Sequence, residues 1–321
     1  MEILQPVRYR LEFGQREPLS LALYRVCLFE IDDAIASIRQ PLDRAEGVHA
    51  ARKAMKRIRA MLRMVRDEIG PQIFRAENTV MRDVGRVLSP VRTAHVLWLL
   101  AREVTAGLGD AISETAEAHL LDALESISRR EATAVLDDEQ TIADALTTLL
   151  VTRSRFESWP VVDTDVSIPN APRHRIPDSF AAIEPGIRRV YRRGRRAMAH
   201  VGSSPTAHTF HEWRKRVKYL QYQMEALHLV WPEVIGGEAE ALGTLGETLG
   251  EEHDLAELGH LIMAQPALVP DDAGRRNLLV EIARRRLHLQ TVAMRIGATT
   301  FHEQPRDFTA RIGSYWAAAR S

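Results

Sequence analysis

The stretch His49-Ala-Ala-Arg-Lys-Ala-Met-Lys-Arg-Ile-Arg-Ala-Met-Leu-Arg63 decides how the chain is read, and His211-Glu-Trp-Arg-Lys-Arg-Val-Lys-Tyr-Leu220 answers it later. Each opens on His, with Arg and Lys three and four residues on and Lys seven on. At about 100° per residue these positions fall on one helical face. His49, Arg52, Lys53 and Lys56 therefore form one stripe, prolonged by Arg59 and Arg63, while Ala51, Ala54, Met55, Ile58, Met61, Leu62 and Val65 face a core. In the second copy His211, Arg214, Lys215, Lys218 and Tyr222 share a face, opposed by Trp213, Val217, Leu220, Met224 and Leu227. A solvated helix face ordinarily mixes signs. Between His49 and Arg66, however, stand seven Lys or Arg and no acid. One such face could simply be solvated; the same order met twice points to a polyanion site.

Charge elsewhere is segregated, although the 321 residues carry 43 bases and 43 acids and the formal net charge is zero. Gly107 to Ala145 holds ten acids against Arg129 and Arg130, whereas Arg188 to Lys218 holds ten bases against Glu212. A neutral chain with one positive region focuses an anion to a place rather than coating itself with it. A hydrophobic content of 45% supplies a sizeable core. Cys27, the single cysteine, sits in an apolar helical pattern and reads as a buried thiol. The opening Met-Glu-Ile-Leu-Gln-Pro lacks the marks of a signal peptide, and no apolar window reaches membrane-spanning length, so a cytoplasmic location is expected.

Beyond a short alternating arm over residues 1–18, every segment has helical periodicity, giving an all-α fold. Helices are expected over Leu19 to Arg39, Arg44 to Ile69 with a stop at Gly70-Pro71, Ile73 to Leu88, Thr93 to Ala106, a long acidic helix through Ile112 to Ile127, and a shorter one through Leu150. Pro160, Pro169, Pro172 and Pro177 mark residues 159–178 as a linker between a first helical half, 19–158, and a second, 179–321. The second half resumes near Phe180 with an arginine-rich helix and the second basic helix, then Ala239 to Leu249, Asp254 to Met263, Asp272 to Arg295 and Pro305 to Arg320. Leu88-Ser89-Pro-Val-Arg-Thr93 aligns with Leu249-Gly250-Glu-Glu-His-Asp254 at an offset of 161, and the basic helices align at 162, which reads as an internal duplication. Gly250 and Ser89 are expected to end one helix, and Asp254 and Thr93 to cap the next.

These elements resemble the CHAD family, the domain of conserved histidines in an α-helical setting. The resemblance rests on His49-x-x-Arg-Lys-x-x-Lys-Arg, on His211-x-x-Arg-Lys-Arg-Val-Lys-Tyr with Tyr222 and Glu225, on Leu-Gly-x-x-x-Asp at 249–254 and on the arginine-rich helix from Arg188 to Arg196. It implies two four-helix bundles related by pseudo-two-fold symmetry with a basic cleft or channel between them. It also implies binding of inorganic polyphosphate and association with polyphosphate granules. Without paired carboxylates or a metal cluster beside the basic helices, the residues can hold phosphates but not activate water, and no catalytic activity, cofactor or metal is expected. Carried over by position, the ligand-binding residues would be His49, Arg52, Lys53, Lys56, Arg57, Arg59 and Arg63, then Arg188, Arg192, Arg195 and Arg196, then His211, Arg214, Lys215 and Lys218. Thr93 departs from the family's usual Asp. Arg216 follows Glu212 by four residues and is as well suited to an intrahelical ion pair as to ligand, and Arg57 is lateral on its helix.

Polyphosphate offers a dense row of charge and no bases to read. Lys supplies point charges and Arg a planar fork for phosphate oxygens, and two antiparallel basic helices facing each other would form a track. A helical nucleic-acid-binding protein is the alternative, though aromatics make up only 6% of the chain. A phosphotransfer module is another, because His211-Glu-Trp-Arg looks like the phosphoacceptor box of histidine kinases; the following Pro and a glycine-rich nucleotide domain are missing.

Overall fold

The computed structural model describes residues 11–39, 44–157 and 176–321. The opening of the expected arm and nearly all of the expected linker lie outside the described residues. The described residues form eleven α-helices and no strand: α1 Leu19–Arg39, α2 Arg44–Met64, α3 Arg66–Val87, α4 Ser89–Ala106, α5 Glu114–Leu136, α6 Glu139–Glu157, α7 Phe180–Ser203, α8 Ala207–Ala226, α9 Pro232–Ala264, α10 Asp272–Thr300 and α11 Pro305–Arg320.

Two boundaries differ from the expected ones for physical reasons. Helix α2 ends at Met64, because Val65 adopts φ −103 and ψ 18. The apolar pattern hides this break, since Val65 and Ile69 are both buried. The expected stop at Gly70-Pro71 is present as well: Gly70, at φ 79 and ψ 160, leaves helical geometry, and the helix resumes after Pro71 within the span of α3. The second difference is larger. Helix α9 runs unbroken through Gly250 and Asp254, so neither stops nor caps a helix there, and Thr93 lies inside α4. The side-chain caps in this half are Thr206 and Asp271: the Thr206 hydroxyl accepts from the Thr209 amide while the Thr206 amide donates to Thr209 Oγ1, and the Asp271 carboxylate accepts from the Ala273 amide.

Packing joins the halves rather than keeping them apart. One apolar core collects α1, α2, α3, α6, α7, α8 and the first part of α9, with Trp213, Met55, Met61 and Tyr191 fully buried. A second gathers α4, α5, α9 and α10 around Leu120, Leu255, Leu258 and Leu278. Both draw residues from either side of the expected linker. Helices α4, α9 and α10 take part in both, with α4 changing over between Val91 and Leu97 and α9 between Leu249 and Leu255. The end of the amino-terminal arm is pinned too: Leu11 and Phe13 are buried, and the Phe13 amide donates to the Ala226 carbonyl.

The basic helices α2 and α8 lie against each other at the centre. Side chains cross between them: Arg57 lies over the Tyr222 ring, Arg63 lies over the Tyr219 ring, and the Gln223 side chain donates to the Ala60 carbonyl at 3.1 Å. Close approach of α7 to the end of α2 depends on Gly186, where a Cβ would stand 2.1 Å from the Met64 carbonyl oxygen.

Candidate polyanion site

The cations of α2 and α8 meet Arg92 of α4 and the His253-Asp254 pair of α9 where α4 and α9 pass from one core to the other. Arg92 sits between Val91 and Leu97, and His253 and Asp254 sit between Leu249 and Leu255, at the level where apolar side chains leave one core for the next. There Arg92 Nε donates to His49 Nδ1 at 3.0 Å. At the 161–162 offset the corresponding pair is His211 and His253, whose rings stand 4.3 Å apart. Arg52 donates to the Gly85 carbonyl.

Glycines on α9 make the room that the α8 cations use. Gly243 faces Gln221, Gly246 faces Lys218 and Gly250 faces Arg214, with a Cβ at 246 only 2.8 Å from Lys218 Cε and one at 250 only 3.2 Å from the guanidinium. The steps of three and four residues match on the two helices, and His253 against His211 continues the series. Gly250 of the Leu-Gly-x-x-x-Asp motif is thus a seat for Arg214, and its Asp254 faces the cations.

Electrostatics identify the group as cation-rich and short of counter-ions. Lys56 is driven down to about 7 by burial and by Arg214, Arg52, Lys218 and Arg92 around it. Burial and the neighbouring Arg92 and Arg214 bring Arg52 to about 10. Burial lowers Lys53, Arg92 and Lys218 too. His211, His253 and His49 fall to about 4, through burial and then adjacent positive charge, so all three are neutral at pH 7. Asp254 lies among these cations; burial raises it while Arg214, Arg92 and Lys56 hold it down. Among the described residues no carboxylate forms an ion pair with Arg52, Lys53, Lys56, Arg92, Arg214 or Lys218.

The stripe of α2 continues into a second group. Arg59 donates to Asn78 Oδ1 at 3.1 Å, and Arg63 lies 3.9 Å over the Tyr219 ring and is lowered to about 10, first by burial. Burial and the neighbours Arg216, Arg66 and Arg189 lower Arg193.

Several expected site residues are placed otherwise. Arg57 is buried and bonded to Glu30 at 3.1 Å, beneath α2 and not on its basic face. Tyr222 is buried beneath that same arginine. Arg188 pairs with Glu184 and Arg195 donates to Gln304, so neither turns to the basic helices; Arg189 and Arg193 do so instead, while Arg192 and Arg196 are exposed. Lys215 stands at the site but shares Glu212 with Arg216. Arg92, His253 and Asp254 were missed as site residues. The repeat offset held the signal for all three, since Arg92 and Thr93 align with His253 and Asp254.

A cavity of about 630 Å³ lies elsewhere, lined by Leu242, Phe308, Glu238, Glu303 and Arg311. Its one guanidinium is already shared by both carboxylates, which leaves nothing for an anion.

Fold and site together define an all-helical protein in which two like-patterned basic helices bring uncompensated cations to the junction of two cores. The chain belongs to the CHAD family: the CHAD domain profile matches residues 24–263. Among solved structures it is similar to the CHAD domain from the plant Ricinus communis, with a TM-score of 0.65 and 20% identity, covering 94% of this chain and 97% of that one. No curated protein matches the chain by sequence.

Proposed function

We propose that this chain binds inorganic polyphosphate, with Arg52, Lys56, Arg92, Arg214 and Lys218 as the central contacts and His49, His211, His253, Lys53, Arg59 and Arg63 beside them. The observation that carries the reading is Lys56, an amine held near 7 among four cations with no carboxylate ion-paired to it. Bringing like charges together in a half-buried place is costly, and a bound polyanion supplies the missing counter-charge. Family membership supports the same ligand, because the resemblance to CHAD domains implies it. The repeated layout of His49 with Arg92 and of His211 with His253 fits an internal duplication that presents the ligand with two similar walls.

The chain is read as a binding protein and not an enzyme. Its site offers cations and neutral imidazoles, and among the described residues no three His, Cys, Asp or Glu are grouped as metal ligands. The described helices include none long and apolar enough to cross a membrane. A cytoplasmic location at polyphosphate granules completes the proposal.

Titration with long-chain polyphosphate at two salt concentrations, with duplex DNA as competitor, tests it. Binding that weakens steeply with salt and resists DNA is expected, because counterion release drives it and a duplex is too wide for the space between helices. Equal displacement by DNA would reduce the site to a general anion surface, and no binding would overturn the reading.

A further inference from the structure

The stripe of α2 does not end at the core junction. Past Arg59 it reaches a set of arginines drawn from four helices: Arg63 at the end of α2, Arg66 at the start of α3, Arg189 and Arg193 on α7, and Arg216 on α8. Aromatic rings hold two of them in place. Arg63 lies 3.9 Å over Tyr219 and 5.6 Å from Phe74, and Arg66 lies 4.9 Å from Phe74. Gly186 brings α7 close enough to complete the set.

Counter-charge here is partial. Asp67 binds Arg189 at 2.7 Å, and Glu212 binds Arg216 at 3.2 Å while also holding Lys215. Arg63 spends one amino group on the Arg59 carbonyl at the end of its own helix. Nη1 of Arg189 is buried without a hydrogen-bond partner. Five planar forks against two carboxylates, one of them shared, leave donor capacity suited to phosphate oxygens. The chemistry also differs from that of the core junction, which relies on lysines and imidazoles.

The geometry points to a second phosphate-binding site, an arginine platform of Arg63, Arg66, Arg189, Arg193 and Arg216, which one polyphosphate chain occupies together with the core-junction site. This rests on the polyphosphate reading and adds a chain-length requirement to it. Arg52 and Arg63 are eleven residues apart on α2, roughly 16 Å along the axis. An anion too short to span that distance gains one site only. A longer chain makes its second contact within the same molecule, where effective concentration multiplies affinity without any new kind of contact. Arg59, midway, would carry the intervening phosphates.

The test compares inorganic triphosphate with long-chain polyphosphate on the whole protein and on Arg66→Ala/Arg193→Ala. Wild type is expected to prefer the long chain by about a hundredfold or more per molecule of anion, and the double variant to lose most of that preference while triphosphate affinity stays within about twofold. Arg193→Glu, altering one exposed side chain, should do the same if the double variant is unstable. Full long-chain preference in folded variants, or a parallel loss for both anions, overturns the platform. A wild type that binds neither anion overturns the parent reading, an outcome distinct from both.

Discussion

The two basic helices have one pattern and two electrostatic settings. From His49 to Arg66 helix α2 and its exit contain no acid, and the helix rests on a buried ion pair, Arg57 with Glu30, on its far side. Helix α8 carries its own moderators. Glu212 holds Lys215 and Arg216, and Lys218 donates to Gln221, which donates in turn to Glu225. At the offset of 162 the place of Arg57 is taken by Tyr219, whose ring receives Arg63. The supporting walls differ as well, since α3 and α4 break at Leu88 while α9 continues and presents Gly246, Gly250 and Asp254. The lesson is that a repeated motif preserves where cations sit, while the acids around each copy decide how strongly each cation seeks an outside anion.

Removing the support under α2 should have the largest effect. Glu30→Leu strands the Arg57 guanidinium in the core and is expected to cost about 3 kcal/mol in urea unfolding. No substitution at Tyr219 can repeat this, because no buried base stands there. Burial raises Glu30 to about 7, above the unfolded carboxylate, so the folded state keeps a proton that the unfolded state releases. The resulting stability is full below about 4.5 and is lost as pH rises towards 7, a slope that Glu30→Leu should flatten.

Unequal moderation should appear next in binding. Lys56→Gln is expected to weaken polyphosphate binding at least tenfold, about 1.4 kcal/mol or more, whereas Lys215→Gln changes it by about twofold, because Glu212 already occupies that lysine. Glu212→Gln should move α8 towards the state of α2 and tighten binding. Titrations at one salt concentration check all three; equal losses at Lys56 and Lys215 would dissolve the contrast.

Glycine gives a smaller difference. A methyl at Gly246 displaces Lys218, whereas one at Gly85 meets only Met55 at 3.9 Å. Gly246→Ala should therefore weaken polyphosphate binding by about threefold, and Gly85→Ala should leave it intact while adding up to about 1 kcal/mol of helix stability. Paired titration and thermal unfolding separate the two effects.

The all-helical class and the basic faces of α2 and α8 were legible, because 3.6-residue periodicity and like-charge runs are local properties. The face of α7 was not. With six arginines in nine residues every face is basic, and only the neighbours decide: Glu184 and Gln304 claim Arg188 and Arg195, and the end of α2 claims Arg189 and Arg193. Asp254 misled for a related reason. Gly followed four residues later by Asp is the local mark of a stop and a cap, yet in α9 the glycine makes room for Arg214 and the aspartate answers its charge. Arg92 has no local mark at all; it becomes a site residue through tertiary contact with His49.

The finest test of the comparison is a proton count. Lys56 in the free protein is held near 7, whereas Lys218, its counterpart, is lowered less far by burial, with Glu247 and Glu225 opposing the drop. A polyphosphate chain beside Lys56 replaces repulsion with attraction, so the bound amine returns towards the ordinary lysine range near 10.4. Because the bound value exceeds the free one, binding takes up protons between them, and affinity falls as pH rises above about 7. At pH 8 the uptake should approach about one proton per site, almost all of it at Lys56, read from the difference in binding heat between two buffers of unlike ionisation enthalpy. Lys56→Arg should keep most of the affinity and lose the uptake, since arginine stays charged throughout this range. Lys218→Arg should leave the uptake nearly as it was. If the two variants change the count equally, the α2 and α8 lysines share one environment, and the electrostatic difference between the two helices fails at its most direct measurement.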